Sequence, residues 1–427
     1  MRYVKKSQLS TEPITTDSEY SLNDYTSLVK ALLKQLDVLP DVINNPIKKE
    51  LDDLIRLLED IRPPRFMVIG IQNAGKSSLI NAIFNAPVAK VGTEVTTGQA
   101  KWYNFDRDGK RADILDTRGV LEGNKPKEKD SSESPEASIM KAIVERCPDV
   151  LLFVCQAKAV NSGIQETLNV VEKITVKIHE MYDYRPPIVG VVTQCDQLDP
   201  PYIIKLPTDN KEKNENINLA VKTVTEHFRN RRTLNTNFVG KVMPVASFVR
   251  FREKDGTPDE DSDLRWNIDR LTELLVDELP KGPDIAFARL AKVKKFQRKV
   301  AGKVIGLCST ACGAVATSPI PMSDLPLLMS VQLAMIVVIG YISGRELSFK
   351  AAGEFLAAFG INLGSGFVLK QAARSMVKLL PGFGSVVSAG VAFAGTQALG
   401  KAAVAYFIDN ISSDKAKQEY DSNIASV

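Results

Sequence analysis

The spacing of apolar positions changes three times along the chain. Residues 1–17 are polar and without period. Over residues 18–62 the period is helical. Leu28, Leu32, Leu33 and Leu36 follow Ser21 in a first helix, and Leu51, Leu54, Ile55, Leu57 and Leu58 lie on one broad face of a second, near Pro46–Ile61. Pro63 and Pro64 stop it. Short apolar runs then alternate with helical stretches. Phe66–Gly70, Ala112–Leu115, Asp149–Cys155, Pro187–Thr193 and Val242–Val245 read as strands buried on both faces of a parallel sheet, with Lys101–Phe105 as a further strand at an edge. Their connections are long enough for crossover helices, which predicts an α/β doubly wound domain over residues 63–279. Two stretches crowded with charge, Gly, Pro and Ser, Glu122–Ala137 and Arg252–Arg265, read as surface loops. Residues 280–410 lose this alternation and predict an all-α, hydrophobic helical domain, followed by a polar tail over 411–427.

A chain of 427 residues suggests two to three domains. With 44% hydrophobic and 25% charged residues, wholesale disorder and low-complexity classes are excluded. A net charge of +4 is too balanced for a chain coated in nucleic acid, so any electrostatic partner meets a local patch. Cys147, Cys155, Cys195, Cys308 and Cys312 form no CxxC pair, and His179 and His227 are the only histidines. Neither a structural zinc site nor a disulfide framework is expected. The start, MRYVKKSQLSTEPITTDSEY, has no apolar core, so no cleavable secretory signal is expected. The expected location is the cytoplasm or the cytoplasmic face of a membrane.

The strongest chemical signal is Gly70-Ile71-Gln72-Asn73-Ala74-Gly75-Lys76-Ser77, a full match to G-x-x-x-x-G-K-[ST]. It follows the apolar run FMVIG and opens the helical run SSLINAIF, the context this motif requires. Gly70 and Gly75 let the backbone wrap a phosphate chain, and the N–H groups from Asn73 to Ser78 face the anion at a helix N-terminus. Lys76 reaches the β- and γ-phosphates, and Ser77 ligates Mg²⁺.

Downstream motifs bear on the choice between ATP and GTP. Asp116-Thr117-Arg118-Gly119 ends a later strand; Asp116 holds Mg²⁺ through water and the Gly119 N–H meets the γ-phosphate. Between the two lies Val91-Gly92-Thr93-Glu94-Val95-Thr96-Thr97-Gly98, where Thr97, with Thr96 as the neighbouring choice, closes on Mg²⁺ and the γ-phosphate. Thr193-Gln194-Cys195-Asp196 resembles the guanine motif [NT]-K-x-D. A carboxylate at Asp196 accepts from the N1–H and 2-amino groups of guanine, a donor pair that adenine lacks. Gln194 stands where lysine is usual. Ala246 and Ser247, after the last strand, offer backbone N–H groups to the base.

In this order the motifs make about Arg65–Leu279 resemble a translation-factor-class GTPase domain, similar to the Era-like, immunity-related and dynamin-like branches. GIQNAGKSS is especially close to dynamin-type loops. The resemblance implies a P-loop GTPase with Mg²⁺ as cofactor, GTP and GDP as ligands, and hydrolysis to GDP and phosphate. In Ras-like enzymes a glutamine after D-x-x-G orients the attacking water; Val120 stands there, so intrinsic hydrolysis is expected to be slow. Lys76, Gln72, Thr97 and Gly119 form the expected catalytic set, with Asn73, an inward-turned Arg118 or a partner copy as auxiliaries. A homodimer or oligomer through the GTPase domain is the implied self-association.

Pro283–Asp409 resembles an uncharacterised helical domain found behind GTPase domains, including in bacterial inner-membrane proteins. Leu327–Ile342 is short for the ~20 residues that span a bilayer. Leu380–Gly400 carries small residues at every fourth position, Gly384, Ser388, Ala392, Thr396 and Gly400, which suits close helix packing in lipid or in a self-buried bundle. Ala286–Lys303 is basic through Arg289, Lys292, Lys294, Lys295, Arg298, Lys299 and Lys303, with Leu290, Val293, Phe296 and Val300 on one helical face. Such a helix lies on an anionic membrane surface, each cation adding about 1 kcal/mol, or packs its apolar face on the protein. No RNA-module signature accompanies it. The readings carried forward are a slow GTPase governing a membrane-associated helical domain, a nucleotide-gated scaffold without significant hydrolysis, and a soluble Era-like assembly factor.

Overall fold

A computed structural model describes residues 30, 41–71, 73–87, 100–107, 110–117, 135–161, 163–291, 293–316, 325–345, 349–359 and 389–425. The described residues of Met1–Leu58 and Ala301–Val427 form one compact unit, and those of Glu59–Val300 a second.

The second unit is built on a six-stranded sheet of order β2-β3-β1-β4-β5-β6. Its strands are β1 (Arg65–Ile69), β2 (Lys101–Arg107), β3 (Lys110–Asp116), β4 (Val150–Gln156), β5 (Ile188–Thr193) and β6 (Phe238–Pro244). Only β2 runs antiparallel, at the edge where the sequence places it; the remaining pairings are parallel. β6 begins at Phe238, four residues before the apolar run Val242–Val245, because Gly240 and Lys241 break the apolar pattern inside it.

The alternation of side chains along β1 shows why both faces are buried. Phe66 and Val68 meet Ile80, Ile83 and Phe84 of α2 (Lys76–Phe84), with Leu275 beside them. Met67 and Ile69 join the core formed by α3 (Pro135–Glu145), α4 (Ile164–Tyr182) and α5 (Lys211–Arg229). A short helix, α6 (Arg232–Asn235), precedes β6, and α7 (Ile268–Glu278) follows it. The Phe287 ring of α8 (Pro283–Ala291) lies 5.1 Å from that of Phe66, edge-on, so this helix belongs to the sheet's core. The doubly wound architecture places the loops after β1, β3 and β5 at one end of the sheet, where such folds bind ligands.

In the first unit α1 (Asp41–Glu59) buries Leu51, Leu54, Ile55, Leu57 and Leu58, the face expected from their spacing. α9 (Lys294–Val315), α10 (Leu325–Ser343), α11 (Phe349–Ala358), α12 (Ala389–Phe407) and α13 (Ser413–Ala425) are the C-terminal helices. α10 is buried on every side from Leu327 to Ile339, the mark of a helix at the centre of a bundle. Its Gln332 Nε2 donates to Thr396 Oγ1 of α12 at 3.0 Å. A Cβ on Gly400 of α12 would lie 2.6 Å from Ile305 Cγ1 of α9. Ala392, Thr396 and Gly400 of the small-residue stripe therefore serve close packing between helices of this unit; Gly384 and Ser388 lie outside the described residues. Among the described residues no helix is long and apolar enough to cross a membrane.

The basic stretch differs from the single amphipathic helix its pattern suggests. It forms α8 and α9, which meet at Val293. Leu290, Phe296 and Val300 are buried, and Arg289 is buried with them. Lys295 pairs with Glu273 of α7 at 3.0 Å, and Lys299 with Asp277 at 2.7 Å. The apolar face is thus turned into the protein, because burying it there satisfies the same hydrophobic demand that a lipid surface would.

Candidate functional site

Two residues of the loop after β1 have positive φ, Asn73 at 59° and Gly75 at 79°. Gly75 is the N-cap of α2, so the loop hands its backbone directly to a helix N-terminus. Gly70 is required by space rather than by φ: a Cβ there would lie 2.1 Å from the carbonyl oxygen of Val154 in β4. Lys76 is buried and its ammonium donates to the carbonyls of Gly70 at 2.8 Å and Ile71 at 2.9 Å. The cation is folded over the very loop whose N–H groups would receive phosphate. Ala74 is buried; Ser77 and Ser78 are half-buried in the first turn of α2.

The loop after β5 is tied to this one. Thr193 Oγ1 donates to Ala74 O at 2.6 Å. Gln194, at φ 57°, donates from Nε2 to Asn73 O at 2.8 Å and accepts at Oε1 from Gln156 Nε2 at 2.7 Å. The brace on the phosphate loop that lysine supplies in the usual motif is supplied here by a neutral amide relay. Asp196 follows in a one-turn 3-10 helix, Cys195–Gln197, and is buried. Burial pushes its carboxyl up from the ordinary range, while its backbone and the nearby Lys213 pull it back. Ser247 is buried nearby in sequence from β6, and the Ala246 N–H is directed to Trp266 O at 3.3 Å.

Asp116 closes β3, in register with Val68 of β1, one strand from the phosphate loop; its side chain is outside the described residues. Thr117, next in the chain, anchors the start of the following loop by donating to Val68 O at 3.0 Å. Gln72, Thr96, Thr97, Arg118, Gly119 and Val120 also lie outside the described residues. Ser77 and Asp116 are hard oxygen donors at the ends of neighbouring elements, a donor set that fits Mg²⁺. Among the described residues no group of three or more His, Cys, Asp or Glu gathers to hold a metal.

Two residues here were not singled out from the sequence. Gln156 ends β4 with a polar side chain at the carboxyl edge of the sheet, where such a residue is worth noting. Lys213 is fully buried in the first turn of α5, where a cation opposes the helix dipole. That anomaly was its available signal.

Residues 65–194 match the family described as 50S ribosome-binding GTPase. With the sheet order and the loop after β1, this defines a P-loop GTPase domain. GTPase Der of Bacteroides fragilis is 38% identical over 92 residues, 21% of this chain and 20% of that protein. Ribosome biogenesis GTPase A of Bacillus cereus is 38% identical over 79 residues, 18% of this chain and 25% of that one. The chain thus spans about a fifth to a quarter of the length of these relatives. Among solved structures, the LeoA bacterial dynamin GTPase from ETEC aligns over 96% of this chain and 88% of its own at 13% identity and TM-score 0.37. Era of Aquifex aeolicus aligns over 62% and 70% at 14% identity and TM-score 0.30. The domain assignment rests on the matched residues and the strand order, not on these superpositions.

Proposed function

We propose that the protein binds GTP and GDP at the loop Gly70–Ser78 and hydrolyses GTP with Mg²⁺. The observation that carries this is the direct linkage of the two recognition loops: Thr193 and Gln194 bond to the carbonyls of Ala74 and Asn73 at 2.6 and 2.8 Å. A purine read at Asp196 and a phosphate chain held by residues 73–78 then belong to one rigid cleft. The Lys76 ammonium, which donates to the carbonyls of Gly70 and Ile71, would instead donate to β- and γ-phosphate oxygens. Ser77, Asp116 and Thr97, with Thr96 beside it, would hold Mg²⁺, which when bound would supply positive charge to the transferred phosphoryl group. Gly119 is the residue proposed to meet the γ-phosphate, and the loop carrying Ala246 and Ser247 the one proposed to border the base.

The finer reading is a slow enzyme, because Val120 cannot orient water, with Gln72 from the phosphate loop or a second copy completing the site. Nucleotide state then controls the helical domain at 280–410 that follows the GTPase domain at 63–279. With the apolar side chains of α8 and α9 turned inward, contact with an anionic membrane surface runs through charge rather than insertion. Phosphate release from GTP tests the core of this reading: it should require Mg²⁺ and vanish in S77A, and should rise per molecule with protein concentration. GTP binding without release at any concentration would favour the nucleotide-gated scaffold instead. Co-sedimentation with anionic vesicles tests the membrane part.

A further inference from the structure

Among the described residues no carboxylate is hydrogen-bonded to the Lys213 ammonium. Its Nζ donates instead to three backbone carbonyls of one turn: Asp196 O at 2.7 Å, Leu198 O, and Pro200 O at 3.3 Å. The residue is fully buried and sits three residues after the N-cap Asn210, whose side chain accepts from the Lys213 N–H at 2.8 Å. Two features oppose a cation at this place, the loss of water and the positive end of the helix dipole. A structural plug would be better made by a Leu or Met. A lysine makes sense where its charge and its three donors are spent on one turn, and that turn is the one presenting Asp196. Asn216 Nδ2 secures the same turn by donating to Asp199 O at 3.0 Å.

We propose that Lys213 is a positioning residue for base recognition: its ammonium, gripped by the carbonyls of Asp196, Leu198 and Pro200, fixes the Asp196 carboxylate where a purine's N1–H and 2-amino groups are read. The proposal rests on the guanine-nucleotide reading above. The charge of Lys213 also opposes the upward push of burial on the Asp196 carboxyl and so favours its ionised, purely accepting form. Removing it frees the turn and weakens whichever ligand depends on both carboxylate bonds.

The test is calorimetric titration of wild type, K213M, D196A and the K213M/D196A double variant with GTP, ITP and ATP in Mg²⁺. ITP keeps the N1–H and lacks the 2-amino group. K213M should bind GTP at least tenfold more weakly and ITP no more than about threefold more weakly, so the preference for GTP over ITP shrinks. The double variant should bind GTP no worse than D196A alone, because both changes act through one carboxylate. Circular dichroism checks folding; if K213M does not fold, K213Q is read by the same criteria. A variant that retains the full GTP-over-ITP preference overturns the proposal, as does a double variant whose losses simply add. A wild type with no preference for GTP over ATP fails at the guanine reading itself, and the proposal falls with it.

Discussion

Gln194 donates a 2.8 Å hydrogen bond to the carbonyl oxygen of Asn73, joining the loop after β5 to the loop after β1 across 121 residues of sequence. The amide is held in that orientation by Gln156, whose Nε2 donates to Gln194 Oε1 at 2.7 Å. A lysine would brace the same carbonyl with a charge; a glutamine needs a second residue to fix which end of its amide faces the loop.

Gln156 therefore matters only through Gln194. Q156A should weaken GTP binding by about two- to tenfold, the range of one neutral hydrogen bond. In a Q194K background, where no amide needs orienting, Q156A should change the affinity by less than about twofold. Equal losses in both backgrounds, measured by nucleotide titration, would contradict the relay.

The two glycines of the phosphate loop are required for different reasons, and their alanine variants should differ. G70A forces a Cβ to within 2.1 Å of Val154 O in the neighbouring strand, so backbone must move, at a cost of about 1–3 kcal/mol or more. G75A meets nothing closer than 3.6 Å and bears only its φ of 79°, about 1–2 kcal/mol. Denaturant unfolding of the nucleotide-free protein should rank G70A below G75A.

At the opposite end of the sheet, Asp149 is buried and accepts two bonds from Arg62, at 2.6 and 2.7 Å, and one from the Arg65 N–H at 2.9 Å. D149A removes both of these carboxylate bonds from a half-buried Arg62 and leaves it the Pro63 carbonyl at 3.2 Å and Asp60 at 3.5 Å. A loss of about 1–3 kcal/mol in unfolding free energy is expected, the range for charged hydrogen bonds. GTP affinity of the folded fraction should stay within about twofold, since Asp149 precedes β4 while the site lies beyond its far end.

Burial pushes the thiols of Cys155 and Cys195 up to about 11 and about 12, that of Cys312 to about 12, and that of Cys308 well above its ordinary value. At pH 8 a thiol titrating near 11 is about one-thousandth thiolate, and the reactive fraction rises with pH. Cys147 is the partly exposed one. Iodoacetamide at pH 8 should add one label to the native protein, at Cys147, and five after unfolding; rapid native labelling at Cys195 would mean that the loop after β5 is open.

The sheet was legible from sequence because its central strands are buried on both faces. β1, β4 and β5 then appear as unbroken apolar runs, and their ends need only be shifted by a residue. The phosphate loop was legible because close backbone approach admits few residue types. What the sequence withheld depends on tertiary placement. Lys295 and Lys299 read as a cationic face, yet whether they meet lipid or the carboxylates of Glu273 and Asp277 is decided by where α7 packs. Gln194 reads as a departure from its motif; the compensation lies in Gln156, 38 residues away in sequence and on a different strand. Small residues on α12 fit a lipid-packed and a protein-packed helix equally well; which helix they meet, as Gly400 meets Ile305 of α9, is a matter of tertiary placement.

The central claim is that one cleft grips a triphosphate at Lys76 and reads guanine at Asp196. Calorimetric titration of the purified chain with GTP, GDP and ATP, each with and without Mg²⁺, addresses it most directly. GTP and GDP should bind, GTP more tightly when Mg²⁺ is present, and ATP at least about a hundredfold more weakly. Equal or tighter binding of ATP, or no heat with any of the three, would contradict it.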